Sequence, residues 1–238
     1  MRKMTGTLVV LLLTLCLQAQ DSGSPGQKQS SFTDSLWLVY QSSRGENLAL
    51  YKGRQIMSGY TGINGHAFYP YQDWAVGKVQ YEGFWYDGVE VMYDIYRDEV
   101  LVRHPNGVPL TLFGDRVQAF SIKDHRFVKF DSSAGPIRPG FYEVLADGEL
   151  KVYARRIVVL REEIVEQTVV RTFNSTHRYY AQLGNKVITV NKQRPLVDLA
   201  KAKKSEVLSA VKASGLRFRK DAETVIKIIA DTYNQPKQ

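Results

Sequence analysis

The feature that most constrains this chain is its punctuation. Turn dipeptides recur through its middle: Lys52-Gly53, Asn64-Gly65, Glu82-Gly83, Asp87-Gly88, Asn106-Gly107, Lys123-Asp124, Asp147-Gly148 and Gly184-Asn185. The runs between many of them are rich in Val, Ile, Tyr and Phe. Short β-favouring runs closed by such dipeptides build antiparallel hairpins. Three hairpins follow directly. Asn106-Gly107 joins 100–104 to 108–113, Asp147-Gly148 joins 141–146 to 149–157, and Gly184-Asn185 joins 177–183 to 186–190. These dipeptides tolerate the positive φ of a type I′ turn, whose twist matches that of the strands it connects. Val89, Val91, Tyr93 and Ile95 alternate onto one face. Met92 and Tyr96 on the other face keep it from being cleanly polar, which implies partial cover by another part of the chain. Pro105 and Pro109 place the Asn106-Gly107 hairpin near a sheet edge, because proline cannot donate to a central ladder.

The pattern changes after Val190. Pro195 suits a first helical turn, and 196–201 is expected to form a short helix. Val207, Leu208 and Val211 recur at helical spacing over 205–214, and Gly215 stands where a C′ glycine ends a helix. Asp221 is placed as an N-cap. Ala222, Val225, Ile226, Ile229 and Tyr233 form the apolar stripe of a last helix. The expected fold is therefore α+β and mainly β: a curved antiparallel β-meander or partial barrel, with a small C-terminal helical segment packed on it.

The N-terminus reads as a secretory leader. Arg2 and Lys3 precede an apolar run from Leu8 to Leu17, which as a helix would rise only about 15 Å, half a bilayer core. Ala19 is a small residue at a cleavage position. The expected organisation is signal peptide 1–19, flexible lead-in 20–34, antiparallel β domain 35–190 and basic helical segment 191–238. Leu15 stands where a lipobox needs a small residue, which argues against a lipid anchor on Cys16. Cys16 is the single cysteine, so cleavage leaves a chain with neither disulfide nor thiol despite an oxidising destination. The expected location is periplasmic or secreted, and the chain does not span the membrane once the leader is removed.

Charge is uneven. The formal net charge is +8, and +6 without Arg2 and Lys3. From Lys192 to Lys220 there are nine basic residues against two acidic ones, a local +7, so the basicity belongs to the tail. A basic face attracts anions over about 8 Å at physiological salt. Lys203, Lys204, Arg217, Arg219 and Lys220 are the candidate anion- or partner-binding residues. Export excludes nucleic acid as the partner, leaving lipid head groups, acidic glycans or an envelope protein.

Signatures of catalysis are missing from the string. His66, His104, His125 and His177 have no second histidine or carboxylate at helical metal-ligand spacing, and there is no GxSxG elbow or phosphate-binding glycine loop. No cofactor and no metal are called for. Glu82, Asp87, Glu90, Asp94 and Asp98 lie among aromatics, as the carboxylates of a glycosidase cleft do. A hydrolase built on the 81–98 region is therefore the alternative reading. Aromatics crowd between Tyr60 and Tyr96, and strand alternation sends about half of them outward. Trp74, Tyr81, Trp85, Tyr86 and Tyr96 are the candidate ligand-binding rings, since ring faces stack on sugars and line lipid pockets.

Tyr81-Glu82-Gly83-Phe84-Trp85-Tyr86-Asp87-Gly88 resembles the opening of a MORN repeat. Val89-Glu90-Val91-Met92 then departs from the glycine pattern, and no second copy follows. A broader resemblance runs through 77–83, 89–96, Gly140-Phe141-Tyr142-Glu143-Val144-Leu145 and the basic tail ending near Tyr233. In these the chain is similar to an uncharacterised family of exported β-rich proteins from Gram-negative bacteria. That resemblance implies export and a β-then-helix layout, and it carries no activity and no site residues. The expected function is that of an exported, non-enzymatic binding or interaction module for a lipid, a glycan or an envelope protein.

Overall fold

The computed structural model describes residues 49–55, 59–133 and 135–236. The expected signal peptide, Cys16 and the lead-in lie outside the described residues. The described residues all fall within one compact unit. The strands are β1 (Arg54–Gln55), β2 (Phe68–Tyr69), β3 (Ala75–Tyr81), β4 (Phe84–Asp94), β5 (Glu99–Arg103), β6 (Pro109–Thr111), β7 (Val117–Ile122), β8 (His125–Phe130), β9 (Gly140–Ala146), β10 (Leu150–Val165), β11 (Thr168–Leu183) and β12 (Lys186–Thr189). Three helices follow: α1 (Gln193–Leu199), α2 (Lys204–Ser214) and α3 (Ala222–Asn234).

The strands make one open antiparallel sheet in the order β1-β6-β5-β4-β3-β7-β8-β9-β10-β11-β12, with β2 added to β4. This is the expected mainly-β meander with helices last. The Asn106-Gly107 hairpin does sit next to the edge, with only the two-residue β1 beyond β6. Val89, Val91, Tyr93 and Ile95 are all buried, and so are Met92 and Asp94 on the opposite face.

Two turn signals take other forms. Asp87-Gly88 is not a turn, because β4 runs through it. Gly77 pairs with Val89 and Lys78 with Asp87, so Gly88 is the extra residue of a bulge, at φ +68°. Glycine is suited to that left-handed position. Asn64-Gly65 belongs to a strap rather than a hairpin. The Asn64 N–H donates to the Arg171 carbonyl and the Phe173 N–H donates to the Asn64 carbonyl, both at 2.9 Å. Three residues on, the Ala67 carbonyl accepts the Ile95 N–H at 2.8 Å. The strap thus spans from β11 to β4 across the open side of the curved sheet. Tyr60, Tyr96 and Phe173 pack along the same seam, and Arg155 on β10 pairs with Asp98 of the β4–β5 turn at 2.9 Å.

The helices cover β9–β12. Val152, Ala181 and Leu150 pack with Leu196, Val197, Val207, Val211, Val225, Ile226, Ile229 and Tyr233 in one cluster. On the opposite face of the same strands, Ile137, Tyr142, Tyr153 and Tyr180 form a second cluster. Gly215 ends α2 at φ +68°, as a C′ glycine should. Asp221 departs from expectation: it precedes α3, but its carboxylate turns back to accept the Arg217 N–H at 3.4 Å and leaves the helix uncapped by a side chain. No helix among the described residues is long and apolar enough to cross a membrane.

Candidate functional site

Strand register assembles a dense polar cluster on one face of the sheet. Ala154 on β10 pairs with Glu143 on β9 and with Tyr179 on β11, and Arg156 pairs with His177. Glu143 in turn pairs with Phe127 on β8, two residues from His125. Because strand side chains alternate with period two, His125, Glu143, Arg156, His177 and Tyr179 all stand on one face. Glu223 reaches that face from the first turn of α3.

Arg156 is 3% exposed and stands at the centre. Its Nε donates to Glu143 Oε2 at 2.6 Å, and its two terminal nitrogens donate to Glu223 at 2.7 and 3.0 Å. Tyr69 lies against the guanidinium, 4.8 Å from carbon to ring centroid. Glu223 also accepts the Tyr179 hydroxyl at 3.0 Å. His125 Nδ1 lies 2.5 Å from the second oxygen of Glu143. An ionised carboxylate can only accept, so that nitrogen carries the proton. Burial works against the charge on Glu223, but the hydrogen bond and charge of Arg156 outweigh it and hold its carboxyl below the usual value. Burial and the neighbouring Glu223 push the Tyr179 phenol up to about 12, so it remains a donor. Desolvation and then the Arg156 charge lower the imidazole of His177.

This cluster is a clasp. The buried guanidinium of Arg156 is divided between two carboxylates, and each carboxylate has a further donor. A guanidinium held in two forks has little left to offer an anionic ligand. The clasp fixes α3, and with it the helical layer, onto the sheet. It was beyond the reach of sequence reasoning, because its members come from six elements between residues 69 and 223 and share no local motif. Among the described residues no group of three His, Cys, Asp or Glu side chains could hold a metal.

The aromatic candidates do not form one surface. Tyr81 and Tyr86 are buried, at 1% and 2% exposure. They belong to the core and are corrected as candidate ligand-binding rings: Tyr81 alternates inward with Ala75, Gly77 and Val79 on β3, and the bulge at Gly88 brings Tyr86 onto the buried face of β4. Trp85 and Tyr96 are exposed at 44% and 43%, but they flank opposite ends of β4. Nine strand steps, about 30 Å, separate Trp85 from Asp94, so no small ligand spans both. Trp74 is half-buried, with the Arg103 guanidinium 4.7 Å from its ring. Beside Arg103 is a surface cleft of about 390 Å³ lined by Tyr51, Gly88, Glu90, His104, Pro105 and Gly107.

The acids of the hydrolase reading are spread along β4 and its flanking turns, Asp94 buried and the others at least partly exposed, and each is engaged. Glu82 pairs with Arg116, Asp87 with Lys78, Glu90 with Arg103 and Asp98 with Arg155. Asp94 accepts the Tyr60 hydroxyl and the backbone N–H groups of Tyr96 and Arg97.

The basic candidates divide. Lys203 is buried, its ammonium donating to the Gln235 carbonyl and lying 6.0 Å from the Tyr233 ring. It ties the end of α3 to the segment before α2 and is corrected as a free anion-binding cation. Lys204, Arg217, Arg219 and Lys220 are exposed, with Lys201 and Lys212 beside them in sequence. They face out because Val207 and Val211 take the inner face of α2, and Phe218 packs its ring inward between Arg217 and Arg219. Comparisons with known protein families, curated proteins and solved structures find no match to this chain.

Proposed function

We propose that this is an exported, non-enzymatic interaction module that docks through its helical layer on an anionic component of the cell envelope. One observation carries the reading: Lys201, Lys204, Lys212, Arg217, Arg219 and Lys220 are all exposed on helices and turns whose inner faces are buried against the sheet. The clasp holds that layer in place, so the cations are presented on a rigid base. The leader and the resemblance to exported envelope proteins supply a compartment rich in phosphate and carboxylate groups. Each exposed Lys or Arg near an anionic surface contributes about 1 kcal/mol, lost progressively to salt.

The test is co-sedimentation of the chain from residue 20 onward with vesicles of phosphatidylglycerol and phosphatidylethanolamine, beside neutral vesicles and a soluble acidic polysaccharide. Retention on the anionic vesicles at low salt and release at high salt are expected. Lys204→Glu, Arg217→Glu and Arg219→Glu together should weaken retention more than tenfold. Binding to the polysaccharide alone would make the source a glycan. Binding to neither at low salt would end the reading.

A further inference from the structure

Among the described residues, the longest hairpin, β10–β11, runs past the body that supports it. From Arg161 to Val169 every residue of β10 and β11, and the turn between them, is exposed. Ile164 is exposed at 79% and is paired directly with Val169 at 54%, and Val165 is exposed at 49%. Apolar side chains at such exposure on a projecting arm mark a contact surface. Glu162, Glu163 and Glu166 surround them against Arg161 and Arg171, leaving the tip acidic by one charge. The turn residues Glu166 and Gln167 both have positive φ, 48° and 65°, without a glycine.

At the other end of the hairpin is a surface of opposite character. A cleft of about 380 Å³ between α1 and α2 is lined by Val197, Leu208, Gln193, Arg194, Asp198 and Lys204. Leu208 is exposed at 41%, and it stands between Lys204 and Lys212 on one stripe of α2, each four residues away. Arg194 and Lys204 share the single acid Asp198, at 3.8 and 3.9 Å. The cleft is therefore apolar inside with a basic rim, and the tip is apolar with an acidic rim.

Within one molecule the two do not meet. Val197 packs in the cluster that contains Leu150 and Val152, at the base of the hairpin. The tip lies at the far end of a 16-residue strand, about 50 Å along it. The geometry points to a head-to-tail contact between copies: the β10–β11 tip of one molecule seats in the α1–α2 cleft of the next. Such a contact joins two different surfaces, so it leaves a free tip and a free cleft at each step and propagates unless it closes into a ring.

The test is sedimentation velocity on the full chain from residue 20 onward, over about 1 μM to 1 mM, with no lipid present. Assembly past the dimer, rising with concentration and falling with salt, is expected. Ile164→Asp removes the tip and Leu208→Asp removes the cleft, and each alone should be monomeric. Both positions are exposed, so equal urea midpoints will show that the variants fold. An equimolar mixture should stop at a one-to-one dimer, because only one intact tip and one intact cleft can meet. A monomeric wild type, variants that assemble like it, or a mixture that stays monomeric or grows past the dimer would each overturn the contact. Anionic vesicle binding by a monomeric wild type would leave the proposed function standing without this inference.

Discussion

Arg156 shows how one residue governs the behaviour of its surroundings. A buried ion pair contributes little net stability over an apolar replacement, but removing one partner strands the other in a poorly solvated site. Arg156→Met leaves Glu143 buried without its guanidinium and should cost about 3–5 kcal/mol, read from urea denaturation at neutral pH. Replacing both residues, Arg156→Met with Glu143→Leu, should recover much of that loss. The same cluster sets an acid sensitivity. Glu223 has a folded pKa below its ordinary 4.5, so its contribution is complete above that value and is lost as pH falls through the lowered one. His177 has a folded pKa below its ordinary 6.5, so the fold favours the neutral ring, and stability declines as pH falls below about 6.5. Both act in one direction. Urea midpoints should fall from pH 7.5 to 5.5 and again toward pH 4, and His177→Gln should flatten the first step only. A wild-type midpoint that rises on acidification would contradict the assigned environments of both groups.

At the scale of elements, local chemistry explains which parts were legible. The Asn106-Gly107, Asp147-Gly148 and Gly184-Asn185 hairpins form where expected, although only Gly107 and Gly184 take positive φ, at 89° and 56°, and neither Asp147 nor Gly148 does. The arm was missed beyond Ile157 on one strand and before His177 on the other. Its turn, Glu166-Gln167, has no glycine or asparagine, and its two exposed faces leave no alternation to read. That turn can be improved: Asn-Gly in place of Glu166-Gln167 relieves two left-handed residues and should raise stability by about 1 kcal/mol. The check is slower amide exchange in the arm together with a higher urea midpoint. Helix α3 was legible through its stripe, but its tether was not. The Asn234 side chain accepts the Leu150 N–H and donates to the Leu150 carbonyl, both at 2.9 Å, pairing with β10 as a neighbouring strand would. Asn234→Ala should cost about 1–3 kcal/mol and loosen the last turn of α3 in hydrogen exchange.

The whole molecule raises the question of whether the change in composition after Val190 divides the chain. The sequence pattern places a boundary between residues 190 and 191, where strand-rich sequence gives way to basic helices. In space the helical residues share one apolar cluster with Leu150, Val152 and Ala181. Glu223 completes the bonding of a guanidinium that belongs to the sheet. Neither part can leave without exposing the other's core, and helices as short as these hold little structure in water by themselves. Sheet and helices should therefore unfold in a single transition. The measurement is a urea titration followed in parallel by the infrared amide band of the sheet and the far-ultraviolet dichroism of the helices. The two curves should coincide, and Arg156→Met should move both together. If the helical signal were lost first, the layer would be a detachable lid, and the clasp would be a latch that opens under mild stress. If they coincide, the cations on the helices are carried by the stability of the entire fold. The exposed cations of the helical layer then keep their arrangement down to the pH at which the clasp itself protonates.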